Sequence, residues 1–242
     1  MPQVVSLTDI GKKRMMNQDY VYTSETQVGN LPNLFIVADG MGGYNGGGYA
    51  SAYAVEVMRK VIENSKESNP RILFELAIMA ANSEIRKKAR ESEELEGMGT
   101  TVVCACLLGN VLQVANVGDS RLYISGDEIR QITTDHSFVE EMIRVGGLDR
   151  ESARNHPKKN IITRAIGADD NIEPDFFTVK LKKGEKVLMC SDGLSNMVTD
   201  DDICLILKGM LDLNGKAEQL IKAANDNGGK DNIAVIIIDP LQ

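Results

Sequence analysis

The chain has 242 residues, a net charge of −8, four cysteines, two histidines and no tryptophan. That length supports one large domain over residues 1–242, and the acidic balance argues against a general nucleic-acid binder, which needs a basic face. No stretch approaches the roughly 20 apolar residues of a membrane span. The opening Met1-Pro-Gln-Val-Val-Ser6 lacks the basic and long apolar regions of a targeting signal, so we expect a cytoplasmic protein with no membrane partner.

Taken in chain order, strand-like runs cover Val4 to Thr8, Tyr20 to Thr23 and Leu34 to Ala38. Helical segments follow at Ala50 to Asn64 and Arg71 to Ser92, the second with Leu73, Leu76, Ala77, Ala80 and Ala81 at helical spacing. Thr101 to Leu108 and Val111 to Val117 flank Gly109-Asn110, and Arg121 to Ser125 and Glu128 to Thr133 flank Gly126-Asp127. Such short connections predict antiparallel hairpins. A helix near Ser137 to Val145 precedes an irregular stretch from Gly146 to Gly167, and strands follow at Phe176 to Leu181 and Lys186 to Cys190. Helices at Asp200 to Leu213 and Lys216 to Ala224 lead to a last strand, Ile233 to Ile238. Strands and helices arranged in blocks predict an α+β fold, an antiparallel β-sandwich flanked by helices on both sides. Cys104, Cys106, Cys190 and Cys204 mostly lie in apolar runs, which reads as buried reduced thiols; with two histidines, a nitrogen- and sulfur-rich zinc site is poorly supplied.

Asp39, Asp119, Asp192 and Asp231 each stand within a residue or two of glycine, at the mouth or start of an apolar strand-like run. A strand fixes where its terminal carboxylate points, and an adjacent glycine lets backbone or a hydrated ion approach. Hard divalent cations want carboxylate, carbonyl and water oxygens, which several such aspartates would supply. Any one of these sites alone reads more readily as a turn than as a ligand. The run Gly40-Met-Gly-Gly-Tyr-Asn-Gly-Gly-Gly48 exceeds what a turn requires, however, and it fits neither familiar phosphate loop. No lysine lies between Lys13 and Lys60 to complete a P-loop, and Asn45 falls where a dinucleotide fingerprint counted from Gly40 needs its third glycine.

Eight segments carry a resemblance that runs nearly end to end. They are Thr8-Asp-Ile-Gly-Lys-Lys-Arg-Met-Met-Asn-Gln-Asp19, Asp39-Gly-Met-Gly-Gly43 with Ala50-Ser51, Gly97-Met-Gly-Thr-Thr101 and Asn116-Val-Gly-Asp-Ser-Arg121, then Asp135-His-Ser137, Thr163-Arg-Ala-Ile-Gly167, Ser191-Asp-Gly-Leu194 and Gly229-Lys-Asp-Asn232. In these segments and in their order the chain resembles the metal-dependent protein phosphatases, the type 2C serine/threonine phosphatases. The resemblance implies two Mn2+ or Mg2+ ions at one edge of a twin-sheet sandwich. Asp39 would bridge them, the Gly40 carbonyl would bind one, and Asp192 and Asp231 would hold the other. Asp19 would bind or orient through water, and Asp119 with Asp192 matches a third, weaker metal site of bacterial members. Two such ions can share a water and lower its pKa for in-line attack on a phosphate monoester.

Arg14 is assigned to the substrate phosphate, because a guanidinium binds two phosphate oxygens in a planar fork; read without the resemblance, it belongs to a solvated Lys12-Lys13-Arg14 run. The segment 146–167 matches the family's variable flap. Implied partners are phosphorylated proteins and a cognate serine/threonine kinase, with the phosphatase a monomer. Gln18 stands where many members have glutamate, Met41 where animal-type members have histidine, and Tyr44 and Gly48 where bacterial relatives often have histidine and glutamate. Leaving-group protonation is therefore unassigned; His136 reads as packing or capping near Ser137, and His156 lies in the irregular stretch. Two rivals stand beside the enzyme reading: a binding protein that keeps the fold without turnover, and an enzyme restricted to one phosphorylated regulator. The five aspartates and Arg14 weigh against the first.

Overall fold

A computed structural model describes residues 1–42 and 46–240. Gly43, Tyr44 and Asn45 of the glycine-rich run lie outside the described residues, so the structure does not address them.

The strands are β1 (Gln3–Asp9), β2 (Asp19–Ser24), β3 (Leu34–Met41), β4 (Gly99–Thr100), β5 (Val102–Leu108), β6 (Val111–Val117), β7 (Arg121–Ser125), β8 (Ile129–Gln131), β9 (Asp175–Lys180), β10 (Lys186–Cys190) and β11 (Ile233–Asp239). The helices are α1 (Gly46–Asn64), α2 (Pro70–Glu91), α3 (Phe138–Arg144), α4 (Arg150–Arg154), α5 (Asp192–Ser195), α6 (Asp200–Lys208) and α7 (Leu213–Asp226). One sheet runs β1-β11-β10-β7-β8; the other runs β2-β3-β5-β6-β9, with β4 on β3. Every strand pair is antiparallel, including both predicted hairpins.

Alternation along the strands explains the layers. Phe35 and Val37 face Ile236 and Ile238 in a core between the sheets. Their neighbours Ile36 and Ala38 turn outward onto Met58, Ile62 and Phe74 of α1 and α2. Across the sandwich, Val235 and Ile237 pack outward against Leu220 of α7 and Leu207 of α6. Both faces of each sheet are thus covered, so the central strands read as continuous apolar runs rather than alternating ones. Each fully buried aliphatic side chain contributes about 1.5–3 kcal/mol.

The structure departs from the expected elements in four places. The buried face of α2 is Leu73, Phe74, Ala77, Ile78, Ala81, Asn82 and Ile85, while Leu76 is exposed, because the helix docks one step round from the stripe read in the sequence. The strand expected from Thr101 is present as β5, but a two-residue strand not read in the sequence, β4, pairs with Met41 and Gly40 just before it. Within 146–167 there is a short helix, α4, capped by Asp149, whose side chain accepts from Ser152 N–H. The helix expected to reach Leu213 stops at Lys208, and Asp212 opens a new one by accepting from Gly215 N–H at 2.8 Å. Cys104, Cys106 and Cys190 are buried free thiols, pushed up in pKa by burial, and Cys204 is half-buried.

Candidate active site

Five aspartates from both sheets meet at one edge of the sandwich. Asp19 opens β2 and lies directly across from Asp39 near the end of β3. Asp119 follows β6, Asp192 follows β10, and Asp231 precedes β11. The backbone of Asp39 is clamped from the next segment: its N–H donates to Thr101 Oγ1 at 3.1 Å, and its carbonyl accepts from Thr101 N–H and Thr100 Oγ1 at 2.9 Å each. Ser191 ties the sheets together, donating its hydroxyl to Asp19 Oδ2 at 2.6 Å and accepting from Ala234 N–H at 2.9 Å.

Two glycines are demanded by close approach. A Cβ on Gly40 would stand 2.0 Å from the Gly47 carbonyl oxygen, and one on Gly193 would stand 1.8 Å from the Asn232 carbonyl oxygen. The second contact is what seats Asp192 beside Asp231.

Crowding the carboxyls has an electrostatic cost. Burial first, and then the charges of Asp19, Asp192, Asp119 and Asp231, hold Asp39 well above the usual carboxylate range. Burial likewise pushes Asp19 up to about 7 and Asp192 up to about 6, and it raises Asp119 strongly. Asp19 Oδ1 and Asp192 Oδ1 are buried with no hydrogen-bond partner. An uncompensated buried carboxylate oxygen is destabilising, and a bound cation would offset that cost. Among the described residues no three His, Cys, Asp or Glu side chains converge into a ready-made ligand group. Mg2+ and Mn2+ take carboxylate and carbonyl oxygens, with water completing the shell. The donor set here is all oxygen and fits them.

Arg14 is the cation at the mouth of this edge. Its guanidinium donates to Asp231 Oδ2 at 2.7 Å, with the arginine side chain 51% exposed. The pairing is surface-exposed and contributes little stability; its consequence is to hold a guanidinium over the acidic cluster, where Asp39 and Asp192 also act on it.

The loop carrying Arg14 is fixed by Asn232, to which the sequence reading assigned no role. Asn232 is buried, donates through Nδ2 to the carbonyls of Ile10 and Met16 at 2.9 Å each, and accepts from Gln18 N–H through Oδ1 at 2.9 Å. Lys12 N–H donates to the Gly229 carbonyl at 2.7 Å, and Gly11, at φ 77°, has no room for a Cβ beside the Asp231 carbonyl. The signal for Asn232 was its place in the Gly229-Lys-Asp-Asn232 segment, which marks a region but not the partner of a side chain. His136 is also positional: its Nδ1 accepts from Gly118 N–H at 3.1 Å and its Nε2 faces Asp175 at 3.2 Å, bracing the turn that presents Asp119. The cap of α3 is Ser137, not His136. His156 lies in the loop after α4, its Nδ1 accepting from Lys158 N–H.

Beside the aspartates lies a cavity of about 130 Å3 between Asp119 and Asp192 and the 146–167 segment, which contributes Arg150, Arg154 and Lys159. Its wall includes Arg121, held on Asp135 through both oxygens at 2.7–3.0 Å.

Residues 14–233 match the protein phosphatase 2C family. The chain belongs to that family. It is 39% identical over 240 residues to serine/threonine phosphatase stp of Listeria innocua, covering 96% of this chain and 93% of the relative. The Streptococcus agalactiae serine/threonine phosphatase structure superposes with a TM-score of 0.93 at 36% identity, each chain fully covered. The catalytic domain of serine threonine protein phosphatase PstP, solved with two manganese ions, superposes with a TM-score of 0.87 at 31% identity over 100% of this chain and 99% of that one. As a protein phosphatase 2C, the chain is a metal-dependent hydrolase of phosphoproteins, and the twin-sheet sandwich is the family's architecture.

Proposed function

We propose that the chain hydrolyses phosphoserine and phosphothreonine in proteins, using two Mg2+ or Mn2+ ions at the aspartate edge. The observation that carries this reading is the group of buried, mutually repelling carboxyls with unpartnered oxygens on Asp19 and Asp192. Asp39 and the Gly40 carbonyl would hold one ion, with Asp19 reaching it through water; Asp39, Asp192 and Asp231 would hold the other. Asp119 with Asp192 is a candidate for a third. Bound there, the ions make water acidic enough to serve as nucleophile near neutral pH and offset the charge gathering on the phosphate.

The chain's own residues do the remainder. The clamp from Thr100 and Thr101 keeps Asp39 from shifting as charge builds, so no reorganisation is needed during reaction. Arg14, positioned by Asp231, takes two phosphate oxygens and orients phosphorus. We read residues 1–242 as one catalytic unit in which 146–167 acts as a flap beside the site and meets the substrate protein. The reading extends to a monomer in the cytoplasm that opposes a serine/threonine kinase; among the described residues no helix is long and apolar enough to cross a membrane.

The test is phosphate release from a phosphothreonine peptide with manganese, magnesium, calcium or a chelator. Turnover with manganese or magnesium and none with chelator is expected; folded protein that releases no phosphate with any of the metals refutes the reading. In the same assay Arg14→Ala should lower kcat/KM by about 10–100-fold, the worth of hydrogen bonds to a charged group. Arg14→Lys should recover only part of it, since an ammonium keeps the charge but not the fork. Equal activity of all three proteins would remove Arg14 from the phosphate site.

A further inference from the structure

At the end of the sandwich opposite the aspartates, the β7–β8 and β9–β10 turns meet the end of α6 and the start of α7 around a groove of about 650 Å3. β10 starts at this groove and ends next to Asp192, so about 20 Å of strand separates the two sites. On a chain of net charge −8, the groove gathers six cations: Arg130, Lys182, Lys183, Lys186, Lys208 and Lys216. Against them stand three acids, Asp127, Glu128 and Glu185. Glu185 is already engaged, with one oxygen accepting from Lys182 N–H at 2.8 Å and the other 3.4 Å from Arg130. Lys186 pairs with Asp239 at 3.4 Å. Among the described residues, Lys182, Lys183, Lys208 and Lys216 have no carboxylate within ion-pair distance.

Lys216 is the informative member, because it lines the groove yet is only 6% exposed. Lysine is almost never buried without a partner. Burial, and then the charge of Lys186, lower the pKa of its ammonium, with Asp239 and Asp212 acting only from beyond ion-pair distance. A largely buried lysine lining a cationic groove, with no carboxylate within ion-pair distance among the described residues, is stabilised by an anion.

The lining also limits which anion. It contains no aromatic side chain on which a base or ring would stack, and Leu207 is its one large apolar member. Recognition must therefore come from charge, and lysines bind phosphate as point charges. Cations spread over β8, β10, the turn between β9 and β10 and two helices need several negative charges on one ligand, and the volume suits a small molecule. We propose that this groove binds a small anion carrying two or more phosphate groups, with Lys216 at its floor and Lys182 and Lys183 at its rim.

Isothermal titration of the intact protein in magnesium buffer, with pyrophosphate as probe, tests the proposal. Orthophosphate and a glutamate-rich peptide are run alongside. Pyrophosphate should bind the parent protein and Asp39→Asn alike, about tenfold or more tighter than orthophosphate, and should weaken about tenfold or more in Lys216→Met and in the Lys182→Glu/Lys183→Glu pair. Thermal melts check that the variants are folded; should Lys216→Met not fold, the rim pair decides. Binding unchanged in the rim pair, binding lost in Asp39→Asn, no pyrophosphate binding at millimolar concentration, or binding of the acidic peptide alone would each overturn it.

Discussion

Asp39→Asn should lower kcat/KM on a phosphothreonine peptide by about a thousandfold or more while leaving the protein folded. Asp39 is the carboxylate on which the other four act, and it is the one proposed to touch both ions. Losing several kcal/mol of transition-state charge stabilisation costs a factor of ten for about every 1.36 kcal/mol. The fold should survive because the backbone of Asp39 is held through Thr100 and Thr101. The substitution also removes a carboxyl whose ionised form is opposed by burial and by Asp19 and Asp192. In chelator, therefore, the melting temperature of Asp39→Asn should equal or exceed that of the parent, the reverse of an ordinary loss of a buried polar group. Full activity of the variant, or a melting temperature well below that of the parent in chelator, would contradict this account of the edge.

The second large effect is expected at Asn232. Asn232→Ala leaves Gln18 N–H and the carbonyls of Ile10 and Met16 without their partner, at a cost of about 3 kcal/mol in total. For a chain of this length that is roughly a 10 °C fall in melting temperature. Activity should fall with it, because the loop bearing Arg14 and the turn bearing Asp231 are joined through this side chain, and a small misplacement of catalytic groups is costly. We expect kcat/KM to fall by about 10–100-fold and half-maximal activity to need more metal. Asn232→Asp should be worse than alanine in activity: it keeps the acceptor for Gln18 but loses both donors and places another negative charge beside the aspartates. An Asn232→Ala protein with parental melting temperature and metal requirement would show that the loop is held by other contacts.

Asp39, Asp119, Asp192 and Asp231 were visible in the sequence because each stands where an apolar run meets glycine, a local pattern that Asp19 lacks. Asp19, Asp39, Asp119, Asp192, Asp231 and Arg14 all lie at one edge. Short elements were less visible: α4 and α5 span five and four residues, too few to show a helical period. The face of α2 was misread at Leu76 for a related reason. An apolar residue on an exposed face looks the same in sequence as one in the core, and docking against β3 and α1 settles which is which.

The sequence by itself determined the order of strands and helices, the layered α+β class, the buried thiols and the oxygen-rich chemistry of the aspartates, since composition, periodicity and neighbouring residues carry all of these. Only the tertiary structure decided how those pieces are joined. β1 pairs with β11 from the far end of the chain, Asp9 opposite Ile233, which lays the Arg14 loop against Asp231. Asn232, Ser191 and His136 owe their roles to hydrogen bonds between segments distant in the chain, and such bonds leave no periodic or compositional trace. The lysine groove is likewise assembled from turns and helices that read separately as solvated surface, and only folding sets Lys216 beneath the others.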